Sequence, residues 1–522
     1  MSWCGAAVCY IPPVPHPSSW HPEPELIDFR DPARAREALE ELGTAVWTEA
    51  LDWLYEHAMR RPTGAHRYQS LRAEFYGPGA QPGPTPATGK TSKEVFAEFR
   101  ERLAPYLYNA QHPGQFGFFT PPPLPMAIAG ETLAQWANQG IDLWLSGMAG
   151  PLVEEEVVAW LRELVGYGQG SWGVLTSGGV MANIMGLAVA RDVHLAKLLG
   201  VPEPPRGRAL EGARLYASEQ AHFSIARGLD VLGFPPETLH EVESDDRFRL
   251  HGDAVARAAA EDRAAGLVPF AIAPVAGSTN TGSVDQMDEL ADVAELENLW
   301  LHVDAAYGGG VRLSKRDAHR VPALERADSL TIDPHKWFFQ PYDIGGLLVR
   351  RRQDLLDTFH RQPEYYRDVI PEEEPLHWYQ YSMEGTRRFR ALKLWLSWKH
   401  LGTEGFARLI EHNDDLAAYF AKRCRDGNDF EVLPEEPELS VVCFRHLPGG
   451  PESVSQLAPD ELDAHQDRLQ RALEVSGEGW LSTTKLRGRT YLRAGIVNYL
   501  SAEDDVDRVL DALRRAAGSA TA

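Results

Sequence analysis

The chain has 522 residues, of which 43% are hydrophobic and 24% are charged, so it can bury a large core and form two or three domains. The formal net charge of -23 argues against a nucleic-acid partner, because the phosphates would be repelled. No apolar run reaches the roughly 18 residues that a membrane span needs, and four cysteines do not indicate a disulfide scaffold.

The N-terminal region up to about Asp31 is rich in proline, histidine and tryptophan, and we expect an extended arm that contacts another subunit. No basic leader precedes its apolar residues, so we expect no signal peptide and a cytoplasmic location. Cys4 and Cys9 have no further ligand at suitable spacing, so no metal site is predicted. Three-or-four spacing of apolar residues predicts helices at 32–57 and 93–103.

A loop rich in aromatic residues, glycine and proline runs from Asn109 to Pro123. Its three phenylalanines, Phe116, Phe118 and Phe119, either line a ligand pocket or fill the core, and the sequence favours neither. Apolar periodicity then predicts helices at 126–139 and 152–165.

Short apolar runs alternate with amphipathic segments in the middle of the chain. Strands are predicted at 173–176, 215–218, 268–276, 299–304, 329–332 and 346–350, and helices at 180–199, 223–232 and 285–297. This alternation predicts an α/β fold with a mostly parallel sheet between helices. Further on, helices at 392–400, 405–425 and 504–517 and strands at 439–445 and 490–497 predict a smaller α+β domain. The predicted domains are 1–110, 111–387 and 388–522.

The first candidate site feature is the segment Thr176-Ser177-Gly178-Gly179-Val180, which joins a predicted strand to a predicted helix. Glycines let the backbone approach an anion, and the first N–H groups of a helix point at it. Ser177, Gly178, Gly179 and Val180 are therefore candidate phosphate ligands, although a simple strand-to-helix turn would look the same.

Three further features follow predicted strands. His222 could stack on a heteroaromatic ligand or cap the next helix, and Thr279 could contact a ligand edge or only form a turn. Asp304 ends a buried strand and needs a partner, because an unpaired buried charge is costly. The small Ala306 beside it leaves room for a planar ligand.

Lys336 follows the strand 329–332 in the segment Asp333-Pro-His335-Lys336-Trp. Ligands of open α/β sheets bind outside the carboxyl ends of the strands, where a partly desolvated lysine can attack an aldehyde. Alone, such a lysine is usually a surface residue. A phosphate site, an aromatic stack, a carboxylate for a ring nitrogen and an amine for an aldehyde together form the set that pyridoxal 5′-phosphate requires.

With these residues in view, the chain resembles the group II pyridoxal-phosphate-dependent amino-acid decarboxylases of fold-type I, the family of the aromatic-L-amino-acid, glutamate and diaminobutyrate decarboxylases. The resemblance is carried by His302-Val-Asp-Ala-Ala-Tyr and Asp333-Pro-His-Lys-Trp, with support from His112-Pro and Gly385-Thr-Arg-Arg-Phe-Arg. It implies a large sheet domain, a small C-terminal α+β domain, an N-terminal helical arm, and a homodimer with a shared active site.

The resemblance also implies roles for particular residues. Lys336 would bind the cofactor through its amine, Asp304 would keep the ring nitrogen protonated, and His222 would stack on the ring. The phosphate would lie against Gly179, Val180 and His335, with Thr279 and Ala306 near the ring. On a loop after the lysine, Tyr365 would protonate the substrate carbon across the dimer interface, with Tyr366 as the alternative. The chain departs from the family at Asp333, which replaces an asparagine, at Val180-Met181 and at Pro151.

The expected reaction is decarboxylation of an L-amino acid to carbon dioxide and a primary amine. Phe116, Phe118, Phe119 and His112, with Trp136 and Trp144, could line a side-chain pocket, so an aromatic or apolar substrate is predicted. Diaminobutyrate, glutamate and branched aliphatic amino acids stay open as substrates. The alternatives to simple decarboxylation are an oxygen-using aldehyde synthase, whose members tend to replace the stacking histidine or the loop tyrosine, and a non-catalytic scaffold protein.

Overall fold

The computed structural model describes residues 31–58, 61–63, 66–361, 363–364, 376–454 and 456–519. These residues form two compact units, one made of 31–58 and 66–107 and the other of 61–63 and the described residues from 108 onward. The division into 1–110, 111–387 and 388–522 stays a prediction. None of the helices in the described ranges is long and apolar enough to cross a membrane.

The N-terminal unit consists of three helices, α1 (Pro32–Trp53, continued by a π-helical turn at Leu54–Ala58), α2 (Tyr68–Tyr76) and α3 (Ser92–Arg102). Two of these helices begin at capping residues: the Asp31 side chain accepts a hydrogen bond from the Arg34 N–H at the start of α1, and Thr91 caps α3. Much apolar surface stays uncovered in this unit, including the side chains of Leu42, Val46, Trp47, Leu51 and Tyr55.

The large sheet of the second unit has seven strands, in the order β1-β7-β6-β5-β4-β2-β3. They are β1 (Trp172–Thr176), β2 (Ala213–Ser218), β3 (Leu239–Val242), β4 (Val268–Ile272), β5 (Trp300–Asp304), β6 (Ser329–Ile332) and β7 (Gly345–Val349). Only β7 runs antiparallel to its neighbours β1 and β6; the other pairs are parallel. The predicted mostly parallel sheet is confirmed.

Helices on both sides explain why these strands read as short, nearly continuous apolar runs, since strands covered on both faces need no polar side. Every residue of β1, β5, β6 and β7 is buried. The accompanying helices are α4 (Pro125–Ala137), α5 (Trp144–Gly147), α6 (Ala149–Leu164), α7 (Gly179–Val189), α8 (Ala196–Leu199), α9 (Ser224–Val231), α10 (Gly252–Ala264), α11 (Met287–Glu297) and α12 (Arg352–Phe359); a π-helical segment, Ala190–Leu195, joins α7 to α8.

The C-terminal part forms a four-stranded antiparallel sheet in the order β10-β11-β9-β8. Its elements are α13 (Ala391–Asp426), β8 (Phe430–Val432), β9 (Val441–His446), α14 (Pro451–Val454), α15 (Pro459–Ser476), β10 (Ser482–Leu486), β11 (Arg489–Gly495) and α16 (Glu503–Ser519). Non-helical dihedral angles at Gly402 break α13 between the two helices that the sequence predicts there.

Most predicted elements lie within one to three residues of the observed ones, and the main difference concerns β4. Its predicted span runs to residue 276, but the strand ends at Ile272. Pro274 follows shortly after and has no N–H to give to a strand ladder. The sequence does not predict the β3, β8 and β10 strands or the α2, α5, α10, α12, α14 and α15 helices, because they are short or carry many charged residues.

Candidate active site

A cavity of about 350 Å³ lies at the carboxyl end of the central strands. The structure brings together there all the residues that the sequence predicts for a cofactor site: Ser177, Gly178, Gly179, Val180, His222, Thr279, Asp304, Ala306, His335 and Lys336. They come from five separate loops, which the parallel strands direct to the same edge of the sheet.

The turn between β1 and α7 can hold an anion. Thr176 Oγ1 accepts a hydrogen bond from the Gly178 N–H and fixes the turn. A Cβ atom on Gly178 would lie 3.1 Å from Cε1 of His335, and one on Gly179 would lie 2.8 Å from Oδ2 of Asp333. Only residues without a Cβ atom fit at these two positions. They lie at the N-terminal end of α7, where the first N–H groups and the positive end of the helix dipole can attract an anion.

Asp304 is 5% exposed and is fixed from two sides. Its Oδ1 accepts from the Ala306 N–H at 3.2 Å, and its Oδ2 accepts from Nδ2 of Asn183 at 2.8 Å. Since a carboxylate can only accept, the contact also fixes the orientation of the Asn183 amide. The carboxylate therefore faces the cavity in one defined position, as a partner for a protonated ring nitrogen must.

Asn183 also connects Asp304 to His222. Its Nδ2 donates to Ser224 Oγ at 2.7 Å, and Ser224 Oγ lies 2.7 Å from Nδ1 of His222. The Ser224 N–H also donates to this Nδ1, so the nitrogen is an acceptor and neutral His222 carries its proton on Nε2. Burial lowers the pKa of His222, with Asp304 opposing the shift, and so favours a neutral ring that can stack on a planar ligand.

The other side of Asn183 belongs to a second set of buried hydrogen bonds. Its Oδ1 accepts from Thr331 Oγ1 at 2.6 Å and from Nε2 of His302 at 3.0 Å. Nδ1 of His302 then accepts from Ser329 Oγ, which itself accepts from Nε1 of Trp300. Burial lowers the pKa of His302 to about 4, so the ring is neutral and every bond in this chain has a consistent donor.

Lys336 is 22% exposed on its side chain, and its Nζ lies 3.1 Å from Oδ2 of Asp333. The Lys336 N–H donates to the Asp333 carbonyl at 2.9 Å, which forms the turn that follows β6. The amine is thus held at the cavity by a carboxylate from its own loop, in reach of a carbonyl compound.

The loop with Thr279 is held from the small sheet. Nε of Arg493 on β11 donates to the Thr279 carbonyl at 2.7 Å, and its Nη1 donates to the Gly117 carbonyl. Tyr307, which lines the cavity, is stacked between Phe119 and Trp337, with ring centroids 4.1 and 4.7 Å away. These contacts fix one wall of the cavity.

The residues predicted to bind the substrate side chain do not line this cavity. Phe116 is fully buried in the core of the small sheet, 6.1 Å from the Phe420 ring. Phe118 is 53% exposed beside Trp480, and Phe119 reaches the site only through Tyr307. His112 is buried and its Nδ1 accepts from the Gly114 N–H.

Other predicted positions are placed elsewhere. Trp136 is 58% exposed on α4, and Trp144 begins α5. Tyr365 and Tyr366 lie outside the described residues, as do Cys4 and Cys9.

Sequence reasoning missed several residues of the cavity, namely Met181, Asn183, Phe223, Val275, Gly277 and Tyr307. For Asn183 a signal exists. It stands four residues after Gly179, so on a helix it faces the same side as the phosphate turn. An amide on the apolar face of a buried helix requires polar partners.

The arrangement fits pyridoxal 5′-phosphate in each of its groups. The glycine turn before α7 has room for a phosphate where any Cβ would intrude. The buried Asp304 carboxylate suits a pyridinium nitrogen, and the Lys336 amine suits an aldehyde. Among the described residues that line the cavity, the second carboxylate, Asp333, is the group that conflicts with this assignment.

Comparison with known proteins gives the same result. Residues 80–447 match the model of the pyridoxal-dependent decarboxylase conserved domain. The chain is 33% identical over 427 residues to an aromatic-L-amino-acid decarboxylase of Bacillus atrophaeus, covering 81% of this chain and 85% of that protein. It is 32% identical over 437 residues to an L-2,4-diaminobutyrate decarboxylase of Rhizobium meliloti (strain 1021), covering 82% and 83%.

A solved structure has the same fold. The crystal structure of Oryza sativa TDC with PLP and tryptamine superposes with a TM-score of 0.82 at 24% identity, over 93% of this chain and 98% of that one. The chain therefore belongs to the pyridoxal-dependent decarboxylase family and is a carboxy-lyase of fold-type I, one of the group II amino-acid decarboxylases that use pyridoxal 5′-phosphate.

Proposed function

We propose that the protein removes the α-carboxylate of an aromatic or apolar L-amino acid and releases carbon dioxide and a primary amine. The observation that supports this most is the meeting of Lys336, Asp304 and His222 with the Gly178-Gly179 turn around one cavity. The turn would hold the cofactor phosphate, together with Ser177, Val180 and His335. Thr279 and Ala306 would pack against the ring.

When bound, pyridoxal 5′-phosphate supplies an electron sink for the bond between the α-carbon and the carboxylate. Lys336 would hold the cofactor at its aldehyde group. Asp304 would keep the ring nitrogen protonated, since its carboxylate is fixed by Asn183 and Ala306 and needs no reorganisation. His222 would stack on the ring.

Proton return to the α-carbon is assigned to Tyr365, with Tyr366 as the alternative. A tyrosine hydroxyl can act as a general acid. With the tyrosine as proton donor, Lys336 and His222 are needed only to hold the cofactor. Because His222 and Tyr365 are both present, we favour simple decarboxylation over the oxygen-using aldehyde synthase reaction. Oxygen uptake and ammonia release in proportion to carbon dioxide would reverse this choice.

The role of Lys336 is tested by Lys336→Ala. We expect the variant to lose the visible cofactor absorbance and the release of carbon dioxide. The matched control is Lys315→Ala, since Lys315 is an exposed lysine outside the cavity. Unchanged absorbance and turnover in Lys336→Ala would refute the proposed reaction, and a cofactor-free wild-type protein would favour a scaffold role.

The charges of the cavity support an uncharged substrate side chain. Among the described residues that line it, Lys336 is the one lysine or arginine, and the carboxylates are Asp304 and Asp333. A second substrate carboxylate or a sulfinate would thus meet no spare cation. Met181, Phe223 and Tyr307 contribute apolar surface that suits an aromatic ring.

A panel of amino acids, followed by carbon dioxide release, tests the substrate class. We expect kcat/KM to be largest for tryptophan, tyrosine or phenylalanine, with leucine and valine lower. The panel includes 2,4-diaminobutyrate, glutamate and cysteine sulfinate. Preference for diaminobutyrate would show that the cavity carboxylates bind a distal ammonium, and preference for either acidic substrate would contradict the charge argument.

We also propose that the protein is a homodimer with a shared active site. The N-terminal unit supports this, because Val46, Trp47 and Leu51 of α1 are about half exposed and only Ala35 and Glu49 of that helix are buried. Such an apolar face is typical of an interface. Light scattering should give twice the chain mass, and Trp47→Glu should shift the protein toward monomer.

A further inference from the structure

The carboxylate of Asp333 lies in the cavity wall, close to the glycine turn that precedes α7. Asp333 is 2% exposed. Its Oδ2 contacts Nζ of Lys336 at 3.1 Å, while its Oδ1 is buried without a hydrogen-bond donor among the described residues. Leaving a buried charged oxygen unpaired is costly, so this oxygen needs a proton or a donor.

The backbone at the start of α7 and at the start of β7 lies close to this carboxylate. A Cβ on Gly179 would lie 2.8 Å from Oδ2 of Asp333, and a Cβ on Gly345 would lie 2.6 Å from Oδ1. The carboxylate therefore occupies the neighbourhood of the helix end that attracts anions. A phosphate bound at the same turn would meet a like charge at close range, and that repulsion is strong in a buried site.

Two basic groups can offset the charge of Asp333. Lys336 contacts only Oδ2, so its amine leaves the second oxygen without a donor among the described residues. His335 remains, with its Nε2 3.6 Å from Oδ2 of Asp333. Its Nδ1 accepts from the Ile344 N–H, so neutral His335 carries its proton on the nitrogen that faces Asp333.

We propose that binding of the cofactor phosphate is coupled to the uptake of one proton by the pair Asp333 and His335. The proton reduces the negative charge beside the phosphate and provides a hydrogen-bond donor between Asp333 and the phosphate. This inference rests on the phosphate position proposed above. It assigns Asp333 a positioning role toward the phosphate and makes the affinity for the cofactor depend on pH.

The direction of the pH dependence follows from the linkage between proton uptake and phosphate binding. The pair binds its proton more tightly in the presence of the phosphate than in its absence. Binding of the phosphate is therefore strongest at low pH and weakens, by at most about tenfold per pH unit, as the pH rises. Ionisation of the phosphate to its dianion would act in the opposite direction at the positive end of a helix, so the two effects are separable.

Other charged and titratable groups surround the pair and must be held constant. They are Lys336 on the same loop, His222 before α9, Asp304 at the end of β5, Lys393 of α13 and Tyr342, whose ring lies 4.7 Å from that of His335. Asp333→Asn leaves all of them unchanged and preserves the shape of the side chain. It is therefore the variant that isolates the carboxylate.

The experiment is calorimetric titration of the cofactor-free full chain with pyridoxamine 5′-phosphate and with pyridoxamine, which lacks the phosphate. Titrations at pH 8 in two buffers of different ionisation enthalpy count the protons taken up. For wild type we expect about one more proton with the phosphate compound than with pyridoxamine. For Asp333→Asn we expect no additional proton uptake with the phosphate compound. At pH 8 this variant should bind the phosphate compound at least about tenfold more tightly than wild type does.

Equal proton uptake in wild type and Asp333→Asn would overturn the inference. A pH series on wild type alone gives a second measurement: the affinity ratio of the two compounds should fall from pH 6 to pH 9, and a rising ratio would contradict the coupling. Gly179→Ala serves as the test of phosphate position and should lower that ratio at least tenfold. If Gly179→Ala has no effect, the phosphate position itself is wrong; if only Asp333→Asn has none, the coupling alone is wrong.

Discussion

Replacing Asn183 by aspartate would place two carboxylates side by side in a buried part of the active site. Nδ2 of Asn183 lies 2.8 Å from Oδ2 of Asp304, and Asn183 is 1% exposed. Two carboxylates at this distance cannot both ionise without a large cost, so the pair keeps a proton near neutral pH. Because aspartate has the shape of asparagine, the substitution changes charge and hydrogen bonding and leaves packing intact.

The magnitude follows from this contact. Coupling of a buried carboxylate pair raises one apparent pKa by about 3 units from its unfolded value of roughly 3.9. The folded-state pKa is raised, so the proton stabilises the fold below the unfolded value, and this stability is lost as the pH rises through the folded value. At about 1.4 kcal/mol per unit, Asn183→Asp should lose about 3 kcal/mol relative to wild type between pH 5 and pH 8.

The assay is urea denaturation of the cofactor-free chain at pH 5 and pH 8. Asn183→Leu is the control, since it removes the same hydrogen bonds without adding a charge, and its loss of stability should differ little between the two pH values. A loss in Asn183→Asp that is equal at both pH values would refute the reasoning. It would mean that the new carboxylate turns away from Asp304 or is solvated.

Three further predictions concern other buried groups. Arg387→Met should lower the free energy of unfolding by about 3–5 kcal/mol, because the Glu154 side chain is fully buried and would lose its cation, while adding Glu154→Gln should recover part of the loss in the same denaturation assay. Asp304→Asn should lower kcat by about 100-fold or more with the fold retained by circular dichroism; near-normal turnover would exclude its electrostatic role. Burial raises the pKa of Cys443 to about 12, so iodoacetamide at pH 8 should leave Cys443 unlabelled in the native protein and label it in urea, as mass spectrometry of its peptide would show.

The sequence reveals those parts of the site whose functional groups stand together in one short segment. Ser177-Gly178-Gly179 and Asp333-Pro-His335-Lys336 each combine a strand end with reactive or anion-binding groups, and both segments line the cavity. The strands that precede these segments are also predictable from a short stretch of sequence. Burial on both faces imposes apolar runs that stand out against their surroundings.

The parts that stayed hidden depend on contacts between distant segments. Arg493 holds the Thr279 carbonyl from across the chain, and no local pattern distinguishes it from any other arginine on a strand. The sequence also leaves the environments of the aromatic loop residues undecided. Phe116, Phe118 and Phe119 are the same residue type in one loop, yet they have three different environments. Only the packing of the small sheet decides which of them belongs to the core.

The hydrogen bonds around Asn183 explain why the site tolerates a second carboxylate at Asp333. Asp304 is isolated from Asp333 by donors of its own, the Asn183 amide and the Ala306 N–H, so its charge does not depend on Lys336. Among the described residues, Oδ1 of Asp333 has no such donor, and its Oδ2 lies near Lys336 and His335. The two carboxylates therefore differ in their surroundings, because both oxygens of Asp304 accept hydrogen bonds from uncharged N–H groups, whereas Asp333 relies on basic side chains of its own loop.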